Sequence, residues 1–215
     1  MNILSSWSGG KDSCYALMKA IEMNYSPSVL LNIMNENGEI SRSHGIPLDI
    51  LKKQSQAINI PLHTQPSTWN NYEDNYIKTL KKLTVNYDLS AAVFGDIDII
   101  SHREWEEKVC NAANIKALLP LWQGNRKDLV LEMINAGIKA IIVSCNLELG
   151  VDFLGREINE SLLDELDKMG VDCCGENGEY HTLVIDCPLF SSPIDLPKTE
   201  KIKHEHYCFL NWTTS

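Results

Sequence analysis

Short apolar, β-prone runs alternate with helical patterns over the first two thirds of this chain. Strands and helices differ in the spacing of their buried side chains, and their alternation is typical of a parallel sheet with crossover helices. The sequence therefore predicts an α/β fold in which helices flank a parallel five-stranded sheet. The five predicted strands are residues 2–7, 28–34, 60–65, 91–95 and 140–145.

The last third of the chain has a different pattern. A helix is predicted over about residues 159–168, and a Pro-rich bend at residues 191–198 precedes a last strand at 206–212. These elements indicate a small C-terminal α+β region. We therefore expect two domains, residues 1–145 and residues 146–215.

Composition and charge narrow the class of protein. The 215 residues contain no run of eighteen apolar residues, and the first residues do not have the pattern of a signal peptide. Seven cysteines without a C-x-x-C pair favour reduced thiols, so a cytoplasmic protein with no membrane partner is expected. The net charge of −10 argues against nucleic acid as a partner.

The string SGGKDS follows the first predicted strand and precedes the first predicted helix. A Gly-rich turn at the carboxyl end of a parallel strand offers backbone N–H groups to an anion. The lysine adds a positive charge, and the serines add hydroxyl donors. An aspartate follows the lysine where a Walker A loop has Ser or Thr, so this is a different loop. The predicted phosphate-binding residues are Ser8, Gly9, Gly10, Lys11, Asp12 and Ser13.

The alternative interpretation of this string is a tight turn in which Asp12 or Ser13 caps the helix. The complete string in its strand-to-helix context favours phosphate binding.

A second unusual string, CGENGEYHT, occupies residues 174–182. By composition it is a polar hairpin turn with Asn177 and Gly178 at the tip. However, four side chains that can bind a cation, move a proton or ligate a metal lie within six residues. This density favours a functional site that contains Glu176, Glu179, Tyr180, His181 and Thr182.

Together, SGGKDS and GENGEYHT closely resemble the diphthine ammonia ligase family of ATP pyrophosphatases, of the adenine nucleotide alpha hydrolase type. The resemblance covers nearly the whole chain. SRSHGIP (41–47), FGDIDIISHREWEEKVC (94–110), LLPLW (118–122) and LG (154–155) stand where that family has its intermediate motifs. HREW and GENGEYHT depart from the archaeal and eukaryotic form and are similar to a bacterial branch.

The resemblance implies a HUP/Rossmann-like nucleotide-binding domain with ATP and Mg²⁺ as cofactors. The loop would hold the β and γ phosphates while the α phosphate is attacked, and AMP and pyrophosphate would be released. Asp96, directly after the fourth strand, is the expected metal ligand, because Mg²⁺ takes one or two carboxylates plus phosphates. Beyond the loop, the expected nucleotide-binding residues are His44, Gly95, Asp96 and Arg103.

The implied reaction is adenylation of a carboxylate followed by amidation with ammonia. The acceptor would be diphthine-like, either a modified histidine on a translation elongation factor or a small molecule. Glu179 and His181 both remain candidates for the base in the second step. The predicted catalytic residues are Lys11, Asp12, Glu176, Glu179 and His181. The predicted substrate-binding residues are Trp105, Glu176, Glu179, Tyr180 and Thr182.

Other interpretations stay open at the level of sequence. Adenylation could serve a different acceptor, such as another acid or a tRNA uridine to be thiolated, or the protein could sense ATP or AMP without catalysis. A homodimer is expected because many such folds pair. Glu106 and Glu107 are interpreted as solvated acids near a helix start, where the helix dipole favours them.

Overall fold

The structure is a computed structural model that describes residues 1–212. The strands are β1 (Asn2–Ser6), β2 (Ser26–Met34), β3 (Leu62–Pro66), β4 (Ala91–Val93), β5 (Lys116–Leu118), β6 (Lys139–Asn146), β7 (Tyr180–Asp186), β8 (Thr199–His204) and β9 (Tyr207–Trp212). The helices are α1 (Lys11–Glu22), α2 (Leu48–Ile58), α3 (Tyr72–Tyr87), α4 (Ile100–Ala112), α5 (Arg126–Asn135) and α6 (Glu160–Lys168), with a 3-10 turn at Val151–Phe153. Within residues 1–212, no helix is both long and apolar enough to cross a bilayer.

The first sheet has five parallel strands in the order β3-β2-β1-β4-β5. The predicted α/β fold with a parallel five-stranded sheet is therefore confirmed. The identity of the fifth strand was predicted wrongly, because it is Lys116–Leu118 rather than residues 140–145. This strand has only three residues, of which Lys116 is exposed, so it is too short to show the alternation that identifies a strand.

Residues 140–145 do form a strand, but it belongs to a second sheet. That sheet is antiparallel, in the order β7-β6-β9-β8. The second sheet and α6 form the small α+β region that the sequence predicts. The domain boundary after residue 145 stays a prediction, and β6 spans it.

Side chains of the parallel sheet alternate between two hydrophobic cores, as strand geometry requires. Ile3 and Leu30 face a core shared with α1, α2 and the second sheet. Leu4 and Leu31, their neighbours in sequence, face a core shared with α3 and α4. Helices therefore cover both faces of the sheet, and its carboxyl edge is left for the loops.

The end of β4 and the first turn of α1 approach each other closely at Gly95. A Cβ atom at this position would lie 2.7 Å from the backbone carbon of Asp12 and 2.8 Å from the backbone nitrogen of Ser13. Backbone atoms cannot move aside as a side chain can. Glycine at position 95 therefore permits the loop after β1 to pack on the loop after β4.

We expect Gly95→Ala to destabilise the fold by about 1–3 kcal/mol, because the added methyl group overlaps the backbone of the SGGKDS loop. The free energy of unfolding in urea measures the effect. Gly124→Ala is the matched control, because its Cβ would meet only the side chain of Leu129, which can move. Equal losses in the two variants would contradict the proposed backbone clash.

Candidate active site

A cavity of about 640 Å³ lies at the carboxyl edge of the parallel sheet, between that edge and the start of β7. The two unusual strings of the sequence meet there, although about 160 residues separate them. The predicted site residues that line the cavity are Ser8, Lys11, Asp12, Ser13, His44, Gly95, Asp96, Trp105, Glu176, Tyr180, His181 and Thr182.

The SGGKDS loop is closed by its own hydrogen bonds. The Gly10 N–H donates to Oγ of Ser8 at 3.2 Å, and the Ser13 hydroxyl donates to the Gly10 carbonyl at 3.0 Å. Gly9 has φ +88°, a left-handed conformation that favours glycine. The loop therefore turns directly from β1 into α1, and the Ser8 and Ser13 hydroxyls lie 3.0 Å apart.

Strand β7 and the segment before it hold the loop from the other side. The Val184 N–H donates to the Gly9 carbonyl at 2.9 Å, and the Lys11 N–H donates to Oγ1 of Thr182 at 3.0 Å. The Lys11 ammonium donates to the Cys174 carbonyl at 2.6 Å. The C-terminal region is therefore part of the site and not an appendage to it.

Lys11 is a buried cation, with 3% of its surface exposed. Its ammonium contacts both carboxylate oxygens of Asp12, at 3.0 and 2.9 Å, and lies 5.4 Å from the centre of the Tyr180 ring. Burial opposes the charge, but Asp12 and the other groups around it outweigh burial and raise the pKa of Lys11 well above its ordinary value. Lys11 therefore stays charged, and it is ion-paired with Asp12 of the same loop.

Two imidazoles lie beside the loop. The rings of His44 and His181 are 4.5 Å apart, and a Cβ on Gly10 would lie 3.0 Å from Nε2 of His44. Burial, followed by the charge of Lys11, lowers the pKa of His181 to about 4. Burial, followed by the neighbouring His181 and the charge of Lys11, holds the pKa of His44 well below its ordinary value. Both imidazoles are therefore neutral at pH 7.

Three carboxyl groups line the cavity on the side of β4 and α4. Asp96 accepts a hydrogen bond from Nδ1 of His102 at 2.7 Å, and Glu176 accepts one from the Ile97 N–H at 3.1 Å. Burial opposes ionisation of Asp96, but the hydrogen bonds from His102 and Glu106 lower its pKa below the ordinary value. Burial raises the pKa of Glu176 to about 7.

The interpretation of Glu106 as a solvated acid was wrong. Only 3% of this residue is exposed, because it shares the buried face of α4 with Val109 and Cys110. Burial and the adjacent Asp96 raise the pKa of Glu106 to about 11, so its carboxyl is protonated at pH 7. Glu107, in contrast, lies near the surface and pairs with Arg103.

Aromatic side chains form the wall of the cavity next to these acids. The ring of Tyr72 lies 5.8 Å from that of Trp69 and 5.7 Å from that of Trp105. Trp69 is 70% exposed, and Arg42 lies over its ring at 4.8 Å. Flat aromatic faces therefore lie beside the acids, in the wall of the same cavity that the SGGKDS loop lines.

Four predicted site residues do not line the cavity. Gly9 and Gly10 form the backbone behind it, whereas Arg103 donates to Glu107 at 2.7 Å. The Glu179 carboxylate accepts from the backbone N–H and side-chain amide of Asn177, at 3.1 and 3.2 Å. The roles predicted for these residues stay predictions.

Sequence reasoning missed Gln54, which is fully buried directly behind the loop. Its amide donates to the Gly9 carbonyl at 3.0 Å and to the Val184 carbonyl at 2.8 Å, and its oxygen accepts from the Trp7 indole at 2.9 Å. The sequence contains one signal for this residue, since a polar side chain lies on the apolar face of α2, three positions after Leu51.

Two family models match this chain: a diphthamide synthase N-terminal domain over residues 1–117 and a diphthamide synthase C-terminal domain over residues 125–214. The chain belongs to the diphthamide synthase family. The resemblance inferred from its two motifs is therefore confirmed. The gap between the matched regions, residues 118–124, contains the last residue of β5 and most of the connection to α5.

Relatives of the chain are named diphthine–ammonia ligase. The protein from Schizosaccharomyces pombe is 32% identical over 98% of this chain, and the chain spans only 39% of that relative's length. The mouse protein is 30% identical over 97% of this chain and 88% of its own length. A solved structure titled as a predicted subunit of tRNA methyltransferase, from Methanocaldococcus jannaschii, aligns with a TM-score of 0.48 at 16% identity, over 87% of this chain and 98% of its own.

Glu106→Gln tests the protonated state of this buried acid. Between the ordinary value of 4.5 and about 11, only the folded protein holds a proton on Glu106, so stability falls as pH rises through this window. The uncharged glutamine removes this loss, and we expect the variant to be more stable than wild type by about 1–3 kcal/mol at pH 8.

Urea unfolding at pH 5 and pH 8 measures this difference, which is expected to shrink towards pH 5 by at most about 1.4 kcal/mol per pH unit. Glu107→Gln is the matched control on the same helix. A stability difference for Glu106→Gln that does not change with pH would contradict a protonated Glu106.

Proposed function

We propose that the protein is an ATP-dependent ligase that adenylates a carboxylate and amidates it with ammonia, releasing AMP and pyrophosphate. The observation that carries the proposal is the buried, charged Lys11 in a closed SGGKDS loop that opens on the large cavity. Membership of a family whose relatives are named diphthine–ammonia ligase supports it.

The cavity has the chemistry to hold ATP. In the proposed complex, Lys11, the hydroxyls of Ser8 and Ser13 and the N-terminus of α1 bind the β and γ phosphates. The rings of Tyr72 and Trp105 offer faces on which a purine can stack. The loop would thus bind the phosphates, and the aromatic wall of the same cavity would bind the base.

The residues present fit a Mg²⁺ ion that takes most of its ligands from phosphates. Asp96 is an ionised carboxylate at the cavity wall, and such sites supply one or two carboxylates. Within residues 1–212, no cluster of three or more His, Cys, Asp or Glu side chains has the arrangement of a metal site. Mg²⁺ would neutralise charge on the phosphates, and Asp96 would hold it.

In the first step, an oxygen of the acceptor carboxylate bonds to the α phosphorus, and the bond from that phosphorus to the bridging oxygen breaks. Pyrophosphate leaves with the electron pair of that bond into the loop. Lys11 and the backbone N–H groups stabilise the charge that develops there. Positioning of the reacting groups contributes the rest of the rate acceleration, because the loop already has its closed conformation before ATP binds.

In the second step, ammonia bonds to the acyl carbon, AMP leaves, and the nitrogen loses a proton. His181 is the better placed of the two candidate bases, because its neutral imidazole lines the cavity. Glu179 lies in the turn and is hydrogen-bonded to Asn177. In this proposal Glu179 is not the base, and its hydrogen bonds to Asn177 stabilise the turn that carries Glu176.

The acceptor in this proposal is diphthine, or an acid like it, on a translation elongation factor or as a small molecule. A quaternary ammonium is attracted by aromatic faces and acids, which Trp105 and Glu176 offer in the cavity wall. Tyr180 and Thr182 would contribute by shaping the wall, because both are about 2% exposed and Lys11 lies over the Tyr180 ring.

Thiolation of tRNA is less well supported. It would require a reactive thiolate, whereas burial raises the pKa of both Cys173 and Cys174. All seven cysteines of the chain are buried and free. A homodimer and a cytoplasmic location remain predictions.

We expect Lys11→Ala to lower the rate of AMP and pyrophosphate formation at least about 100-fold, because it removes the charge that stabilises the leaving group. The assay incubates the protein with ATP, Mg²⁺, ammonium and a diphthine-containing peptide, and then separates AMP, ADP and ATP. Lys19→Ala, on the solvent side of the same helix, is the matched control.

The products of the wild type test the proposal itself. AMP with pyrophosphate and an amidated peptide supports the ligase. ADP, or ATP left unchanged with diphthine and a panel of other carboxylic acids, would rule it out and favour a kinase-like protein or a nucleotide sensor.

A further inference from the structure

One buried amide connects three parts of the fold behind the phosphate loop. Gln54 projects from α2 and is fully buried. Its side chain makes three hydrogen bonds, which reach the Trp7 indole, the Gly9 carbonyl and the Val184 carbonyl. A side-chain amide can donate twice and accept twice, so both donors of Gln54 are used.

The contact with Gly9 determines how the loop presents its backbone. The Gly9–Gly10 peptide bond is trans, so the Gly9 carbonyl and the Gly10 N–H point in opposite directions. Gln54 and the Val184 N–H both donate to the carbonyl, at 3.0 and 2.9 Å, on the side away from the cavity. The Gly10 N–H therefore points towards Ser8, which lines the cavity.

The opposite orientation of this peptide would lower the affinity of the loop for an anion. Two consecutive glycines have little steric resistance to a flip of the peptide between them. After such a flip the carbonyl oxygen, which carries partial negative charge, would face the phosphate site. The anion would meet an acceptor there, and Ser8 would lose the hydrogen bond that it accepts from the Gly10 N–H in this structure.

We infer that Gln54 is a positioning residue of the phosphate loop, which keeps the Gly9–Gly10 peptide in the orientation that binds pyrophosphate. The inference rests on the proposed function, because it assumes that the loop binds the pyrophosphate part of ATP. It assigns the orientation of this peptide, and with it the affinity of the loop for phosphate groups, to a residue outside both sequence motifs. It also explains why a polar side chain lies on the apolar face of α2.

Gln54→Met tests this role, because methionine has a similar shape and cannot donate to the Gly9 carbonyl. Isothermal titration calorimetry measures the binding of inorganic pyrophosphate, ATP and adenosine, each with Mg²⁺. We expect the affinity for pyrophosphate and ATP to fall about 10- to 100-fold, the effect of one charge-assisted hydrogen bond. The affinity for adenosine, which lacks phosphates, is expected to change less than about twofold.

Gln56→Met is the matched control, because Gln56 is an exposed glutamine on the same helix. Thermal unfolding shows whether each variant is folded. If Gln54→Met does not fold, Gln54→Leu gives the same comparison, because leucine is also uncharged and cannot donate to the Gly9 carbonyl. A purely structural role would weaken the binding of all three ligands together.

The outcomes separate this inference from the proposed function. A wild-type protein that binds neither pyrophosphate nor ATP would overturn the proposed function. A wild type that binds both, with folded Gln54 variants of equal pyrophosphate affinity, would overturn only the role of Gln54. Selective loss of pyrophosphate and ATP binding would support it.

Discussion

The contact between the SGGKDS loop and strand β7 is the interaction on which the site depends. A Gly-rich loop has many accessible conformations, and only a few present N–H groups to an anion. Here the Gly9 carbonyl is bonded to the Val184 N–H, and the Lys11 N–H is bonded to Thr182. The second sheet thereby holds the loop of the first in one conformation.

The same contact brings opposite charges into one cavity. Lys11 reaches the Cys174 carbonyl from the loop, and Glu176 lies two residues further along the chain. A charged lysine, two neutral imidazoles and the carboxyl groups of Asp12, Asp96, Glu106 and Glu176 therefore line one cavity. A ligand with an anionic group and a cationic or hydrogen-donating group would match this arrangement.

Several elements were predictable because their signals are local. The helical spacing of Cys14, Leu17, Met18 and Ile21 predicts α1, and the apolar run before the loop predicts β1. The strand Lys116–Leu118 was not predictable, because one exposed and two half-buried residues are too few to carry a periodic signal. Glu106 was misinterpreted because position near a helix start says nothing about which face of the helix is buried.

The sequence by itself determined the alternation of strands and helices and the family to which the chain belongs. Only the tertiary structure decided that residues 139–146 join the second sheet, that Glu106 is buried beside Asp96, and that Gln54 holds the loop. The physical reason is the range of the interactions. Spacing and turn chemistry act over a few residues, whereas Gln54 and Val184 are 130 residues apart and meet only when the two sheets have packed.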